Sequence, residues 1–108
     1  MEFKNAIEIQ GFVGNAHGTP VGDDEVVRFS VATEYVFQDT AGLPVVETTW
    51  VQCVGWKSKH PDVAKIVRRT AVNVKGRLVM RRYVASDGGD RLSPEILVSK
   101  VTVIDDTA

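Results

Sequence analysis

The chain contains one cysteine, Cys53, and therefore cannot form an intrachain disulfide. A single thiol is typical of a reducing compartment, and we expect a cytoplasmic protein. The N-terminal segment has no apolar run of signal-peptide length. No apolar stretch of the sequence approaches the length of a membrane span, so we expect no membrane partner.

Groups that support catalysis or metal binding are also scarce. His17 and His60 are the only histidines, and together with Cys53 their spacing matches no usual zinc pattern. Strand alternation directs Cys53 toward the core, where a thiol behaves as a small hydrophobe rather than as a nucleophile. We see no paired catalytic groups. The sequence therefore predicts a protein that is not an enzyme, with no metal and no cofactor.

The net charge is only −1, but the charges are segregated along the chain. Nine basic residues lie between Lys57 and Arg82, where Asp62 is the only acidic residue. Acidic residues gather instead in Asp23-Asp24-Glu25 and in Asp105-Asp106. This pattern indicates either a basic face on a neutral protein or a mixed, solvated surface.

The 108 residues indicate a single domain over residues 1–108, long enough for a core without disulfides or metals. Alternating and β-branched runs predict five strands, and a run with i, i+3, i+4 apolar spacing predicts one short helix. Three strands, a helix and two strands, in that order, are typical of an all-β, five-stranded Greek-key OB barrel. The predicted strands are 5–13, 26–37, 45–56, 71–83 and 91–104, with a loop over 15–24 and a helix of two to three turns over 61–69.

Large aromatic residues are the main functional signal. Trp50 and Trp56 are an even number of residues apart in one strand, so both rings point to the same face. Tyr83 ends a second strand that is rich in arginine. Rings beside cations suit the stacking of single-stranded nucleic acid, whereas burial of both tryptophans in the core is the alternative that this spacing leaves open.

At this point the sequence resembles the bacterial single-stranded DNA-binding protein family from about Asn5 to Ile104. Each motif alone is weak, but their order and spacing together are specific. The motifs are Asn5 to Gly14, Phe29 to Thr33, Glu47-Thr-Thr-Trp50 with Val54-Gly-Trp56-Lys57, Val74 to Leu78, Arg81-Arg-Tyr83, and Asp87 to Arg91 followed by Glu95 to Val98.

The resemblance implies sequence-independent binding of single-stranded DNA in replication, recombination and repair, in a bacterial cytoplasm and associated with the nucleoid. It implies a homo-oligomer, usually a tetramer with a dimer as the alternative, in which the first strand around Ile7 and Ile9 pairs across an interface. It implies base stacking on Phe37, Trp50, Trp56 and Tyr83. Phosphate contacts are then expected from Lys57, Arg77, Arg81 and Arg82.

Two departures from the family pattern stand out. Arg68-Arg69-Thr70 replaces the Lys-Gly turn that many members have before the fourth strand. The sequence also stops at Ala108 without the Gly- and Pro-rich linker and acidic tip that recruit replication partners in the family. Either a tail is missing from this sequence, or this is a short form without tail-mediated partners.

Two other functions fit the same fold. A primosomal replication protein, short and dimeric, would match the length and the missing tail. An OB-fold protein–protein interaction module would match the barrel alone, because fold does not fix function.

Overall fold

A computed structural model describes residues 2–104, which form five strands and one 3₁₀ helix. The predicted acidic end, Asp105-Asp106, lies outside the described residues. The bounds of the elements are β1 Ile7–Val21, β2 Asp24–Gln38, β3 Pro44–Trp56, the 3₁₀ helix Pro61–Lys65, β4 Ala71–Val84 and β5 Asp90–Val103.

The strands close into a barrel in the order β1-β2-β3-β5-β4, with β4 pairing back onto β1. All neighbours are antiparallel except β3 and β5, which pair in parallel from Gln52 opposite Glu95 to Val54 opposite Leu97. The first half of β1 pairs with β4 and the second half with β2, and the corner between them falls at Phe12. This closed five-stranded arrangement is the OB fold, as predicted from the order of the elements.

The predicted loop over residues 15–24 was wrong, because β1 continues to Val21. Ala16 to Val21 pair with β2 after a register shift that follows Val13. The turn itself is short, with Val21 opposite Asp24 and Gly22 in the left-handed conformation at φ 59°. Pro20 lies where β1 pairs with β2 only. A strand edge tolerates a residue that lacks an N–H, so the Gly and Pro signals did not end the strand.

The predicted helix over residues 61–69 is shorter than expected and is a 3₁₀ helix that ends at Lys65. Ile66 is already extended, with φ −79° and ψ 118°. Val63 and Ile66 are both buried in the barrel core, and Val63 packs against Gly55, where a Cβ would lie 2.6 Å from the valine methyl group. Burial of these two side chains takes the chain down onto the barrel, which ends the helix early.

The core consists mainly of β-branched residues from all five strands, as period-two alternation requires. Phe29 is the largest fully buried side chain. The other members of the core cluster are Val13, Val27, Val31, Cys53, Val63, Ile66, Val72, Val74, Ile96, Val98 and Val101.

Candidate nucleic-acid interface

Strands β3, β5 and β4 are neighbours and share one face that points away from the core, here called the outer face. Residues opposite each other in paired strands lie on the same face, as do residues two apart in one strand. The register places Val54 opposite Leu97, and Leu97 opposite Arg77. Even spacing from these positions assigns five of the eight predicted site residues to the outer face: Trp50, Trp56, Arg77, Arg81 and Tyr83.

Trp50 is 59% exposed, so the structure excludes the core alternative for this ring. The ring lies so close to β1 that a Cβ on Gly14 would overlap it. Trp50 also lines a groove of about 470 Å³ together with Ser30, Arg68 and Arg69. An exposed indole with two arginines beside it has the chemistry needed to stack a base and to bind its phosphate.

Trp56 is half-buried at the other end of the outer face. It lines a groove of about 640 Å³ with Arg77, Leu97, Lys59 and His60. The lining is mixed, with an aromatic face, an aliphatic side chain and cations. This groove therefore offers the same combination of ring and positive charge as the groove at Trp50.

Tyr83 lies on the part of the β4–β5 hairpin that extends beyond the barrel, and it is 40% exposed. The Arg81 guanidinium lies 5.6 Å from the centre of the Tyr83 ring, within the range of a cation–π contact. The hairpin tip is held by Asp87, which accepts hydrogen bonds from the Gly89 N–H and from Arg91, both at 2.8 Å. Arg91 is also the register partner of Tyr83, so the contact between Arg91 and Asp87 connects the hairpin tip to the strand position opposite the Tyr83 ring.

A buried carboxylate connects two arginines of this surface. The side chain of Glu95 is 6% exposed, and its Oε2 accepts hydrogen bonds from Arg81 Nε at 2.8 Å and from Arg28 Nη1 at 3.1 Å. Both arginines remain nearly half exposed. Glu95 thus holds two cations in fixed positions while their remaining N–H groups face solvent.

Phe37 lies on a different face from Trp50. Val31 is fully buried in the core, and even spacing puts Phe37 on the continuation of that face, whereas Trp50 is opposite Ala32 on the outer side. Phe37 is 39% exposed and stacks on Tyr35, with ring centres 6.2 Å apart. The structure therefore does not bring Phe37 together with the rings of the outer face.

Two of the predicted cations also lie away from the outer face. Arg82 is opposite Leu92 and points to the other side of the β4–β5 hairpin from Arg81. Lys57 donates its backbone N–H to the carbonyl of Glu25 at 2.9 Å and lines a groove with the acidic residues of the β1–β2 turn. Arg82 and Lys57 remain predictions as phosphate ligands.

Two ionisable groups have shifted pKa values. The pKa of Asp24 is lowered from 3.8, chiefly because its carboxylate accepts a hydrogen bond from the Ser58 hydroxyl at 2.6 Å, and also because it accepts backbone N–H groups of Glu25 and Ser58. This contact ties the β1–β2 turn to the segment that follows Trp56. Burial raises the pKa of the Cys53 thiol to about 12.

Residues 2–104 form neither a metal-binding cluster nor a membrane-spanning helix. Residues 2–104 bring together no group of three or more His, Cys, Asp or Glu side chains suited to a metal ion. Over the same residues, no helix is long and apolar enough to cross a bilayer.

Sequence reasoning missed several residues of this surface. Arg28 and Glu95 gave no signal, because their pairing depends on the register of β2, β3 and β5. Phe12 is 53% exposed and lies in the same cross-strand row as Trp50, with Ala32 between them. Phe12 directly precedes Val13 in an alternating strand, so its ring points to the side away from Val13, and this alternation was a usable signal.

A closed five-stranded barrel with exposed rings and arginines on one face defines an OB-fold protein of the kind that binds single-stranded nucleic acid. The model of the single-strand binding protein family matches residues 5–104. The chain belongs to that family, whose members are non-enzymatic DNA-binding proteins.

A solved structure supports the fold independently. The Plasmodium falciparum SSB complex with ssDNA matches with a TM-score of 0.83, covering 97% of this chain and 98% of that chain. Sequence identity is 23%, so the likeness establishes a shared barrel. Comparison with curated protein sequences gives no significant match.

Proposed function

We propose that this protein binds single-stranded DNA without sequence preference, by stacking bases on the outer face and neutralising phosphates with the arginines around it. The exposure of Trp50 carries the proposal, because a tryptophan is usually well buried. Here the ring is held against Gly14 and faces a groove with Arg68 and Arg69. Stacking needs only the flat face that every base has, so the binding is expected to tolerate any sequence.

Family membership supports a role in coating exposed strands during replication, recombination and repair. The single buried thiol is compatible with a bacterial cytoplasm, where we place the protein in association with the nucleoid. In this setting the protein would shield single strands from nucleases and from re-pairing.

We further propose that the protein works as a homo-oligomer, a tetramer or a dimer. Within the described residues, Ile7 to Gly11 pair with β4 only, since pairing of β1 with β2 begins at Phe12. A strand with one unpaired edge can accept a strand of a second copy. Apolar side chains on the side of the β4–β5 hairpin opposite Tyr83 add a second exposed surface: Leu78, Met80, Val84 and Leu92.

The test of DNA binding is a titration of intrinsic tryptophan fluorescence with oligo(dT) at low and high salt. Stacking on Trp50 and Trp56 predicts strong quenching, and phosphate contacts predict that quenching weakens with salt. The variants Trp50→Phe and Trp56→Phe assign the signal to each ring. Unchanged fluorescence together with no shift in a mobility assay would refute the proposal.

The exposed apolar side of the β4–β5 hairpin also favours a second candidate, a protein–protein interaction module on the same barrel. That function predicts fluorescence that does not respond to oligo(dT). The related primosomal candidate shares the DNA response and is dimeric, so a tetrameric mass in sedimentation equilibrium would exclude it.

A further inference from the structure

The backbone of Arg69 is unusual. Its φ is 73°, in the left-handed region, and it is the only non-glycine residue with a positive φ in the described part of the chain. A residue with a Cβ adopts this conformation at an energetic cost that glycine does not incur. Such outliers persist where the surrounding structure enforces them, and they cluster at functional sites.

The surrounding structure does enforce this backbone. The Arg69 N–H donates to the carbonyl of Val13 at 2.7 Å, and the Val13 N–H donates to the carbonyl of Thr70 at 2.9 Å. The segment before β4 is thereby attached to β1 one residue before Gly14. These bonds use main-chain atoms only, so glycine at position 69 would make them without strain. The fold therefore does not explain why the residue is arginine.

The position of Arg69 suggests an explanation. Arg69 lines the groove of about 470 Å³ that also contains Trp50, Gln52 and Arg68. None of the ion pairs formed within residues 2–104 involves Arg69. Its guanidinium is therefore not committed to a described carboxylate. A guanidinium offers planar pairs of donors that match a phosphate.

We propose that Arg69 binds a DNA phosphate next to the nucleotide stacked on Trp50, and that arginine is kept in a left-handed conformation for this contact. The inference rests on the proposed function, since it assigns one phosphate ligand within it. It makes a specific prediction: replacing Arg69 with glycine should weaken binding and at the same time relieve strain.

The test is the variant Arg69→Gly, with oligo(dT) as the probe. The urea midpoint is expected to be equal to or higher than that of the wild type, because glycine adopts φ 73° freely. The Kd for oligo(dT) is expected to rise about five- to tenfold at low salt. The slope of log K against log salt is expected to become shallower by about 0.7, the value for one phosphate on a single strand.

Two control variants isolate the effect. Lys65→Ala removes a charge from the same connection, but Lys65 is paired with Asp62 at 3.5 Å and does not line the Trp50 groove, so binding should be nearly unchanged. Arg69→Lys keeps the charge and the Cβ, so it should keep the salt slope and lose part of the affinity.

The possible failures are distinguishable. If the wild type does not bind oligo(dT), the proposed function fails and the role of Arg69 fails with it. If the wild type binds and Arg69→Gly binds with the same Kd and slope, only the role of Arg69 is overturned. A clear fall in the urea midpoint of Arg69→Gly would show that the side chain stabilises the fold, which would also overturn the inference.

Discussion

Removing the ring of Trp50 should lower affinity for single-stranded DNA while leaving its salt dependence unchanged. A base stacked on an aromatic side chain contributes roughly 1–3 kcal/mol. At 1.4 kcal/mol per tenfold, Trp50→Ala should raise the Kd for oligo(dT) roughly 5- to 150-fold. The variant removes no charge, so the number of neutralised phosphates stays the same. An affinity loss with an unchanged salt slope is therefore the signature of stacking.

The same substitution also affects folding, and the structure bounds that effect. Trp50 is 59% exposed, so about two fifths of its surface is covered. Two fifths of roughly 250 Å² is about 100 Å², or about 2.5 kcal/mol at 25 cal/mol/Å² as an upper limit. This is smaller than the roughly 5–15 kcal/mol that stabilises an ordinary domain. The variant should thus stay folded at 25 °C, which urea unfolding monitored by circular dichroism will check.

The assay is fluorescence anisotropy of end-labelled oligo(dT) at several salt concentrations. Trp50→Phe keeps a smaller ring and is the matched control, expected to bind with an affinity between those of the wild type and Trp50→Ala. Wild-type affinity in a folded Trp50→Ala protein would refute the stacking argument. A shallower salt slope in that variant would refute the assignment of roles, because it would mean that Trp50 acts by positioning a cation.

Three further predictions address individual contacts. Gly14→Ala should displace the Trp50 ring, since the new Cβ overlaps it, and should weaken oligo(dT) binding and alter the Trp50 emission; an unchanged spectrum and Kd would contradict this packing. Ser58→Ala should raise the pKa of Asp24 toward 3.8 in an NMR titration, because the hydrogen bond from the Ser58 hydroxyl lowers this pKa more than any other contact. The wild type gains stability from that contact above pH 3.8 and loses it as the pH falls through the folded pKa. The free energy of unfolding should therefore fall more steeply in acid for the wild type than for the variant. Cys53 has a folded pKa of about 12 against 9.0 for the free thiol, so its contribution is complete below pH 9 and is lost between pH 9 and 12. Between pH 9 and 12 the urea midpoint should fall more for the wild type than for Cys53→Ala. An equal fall in the two proteins would show that ionisation of the thiol does not cause the loss of stability.

Much of the fold could be predicted because the strands carry period-two patterns bounded by strong turn signals. The connection between β2 and β3 illustrates this, since it falls between the predicted strands 26–37 and 45–56, and there Asp39 accepts the N–H groups of Ala41 and Leu43. The two errors have tertiary causes. Pairing with β2 extended β1 through Gly18 and Pro20. Burial of Ile66 ended the helix. Neither effect is visible in a local window of sequence.

The candidate site was only partly predictable, for a related reason. Alternation within one strand correctly put Trp50 and Trp56 on one face, because that inference needs no partner strand. Phe37 was grouped with them through family resemblance, and its face depends on counting along β2 from the buried Val31. The link between Arg28 and Glu95 spans 67 positions of sequence and requires the barrel to close.

The shared carboxylate of Glu95 has a consequence for counterions. Arg28, Arg81 and Glu95 together carry one net positive charge, although two of the three groups are cations. Glu95 already offsets one of the two cations, so the trio neutralises less phosphate charge than two isolated arginines would. Fewer cations are then released from the strand when it binds there, and the entropy gained is smaller. The affinity should consequently fall less steeply with ionic strength than a count of the exposed arginines suggests.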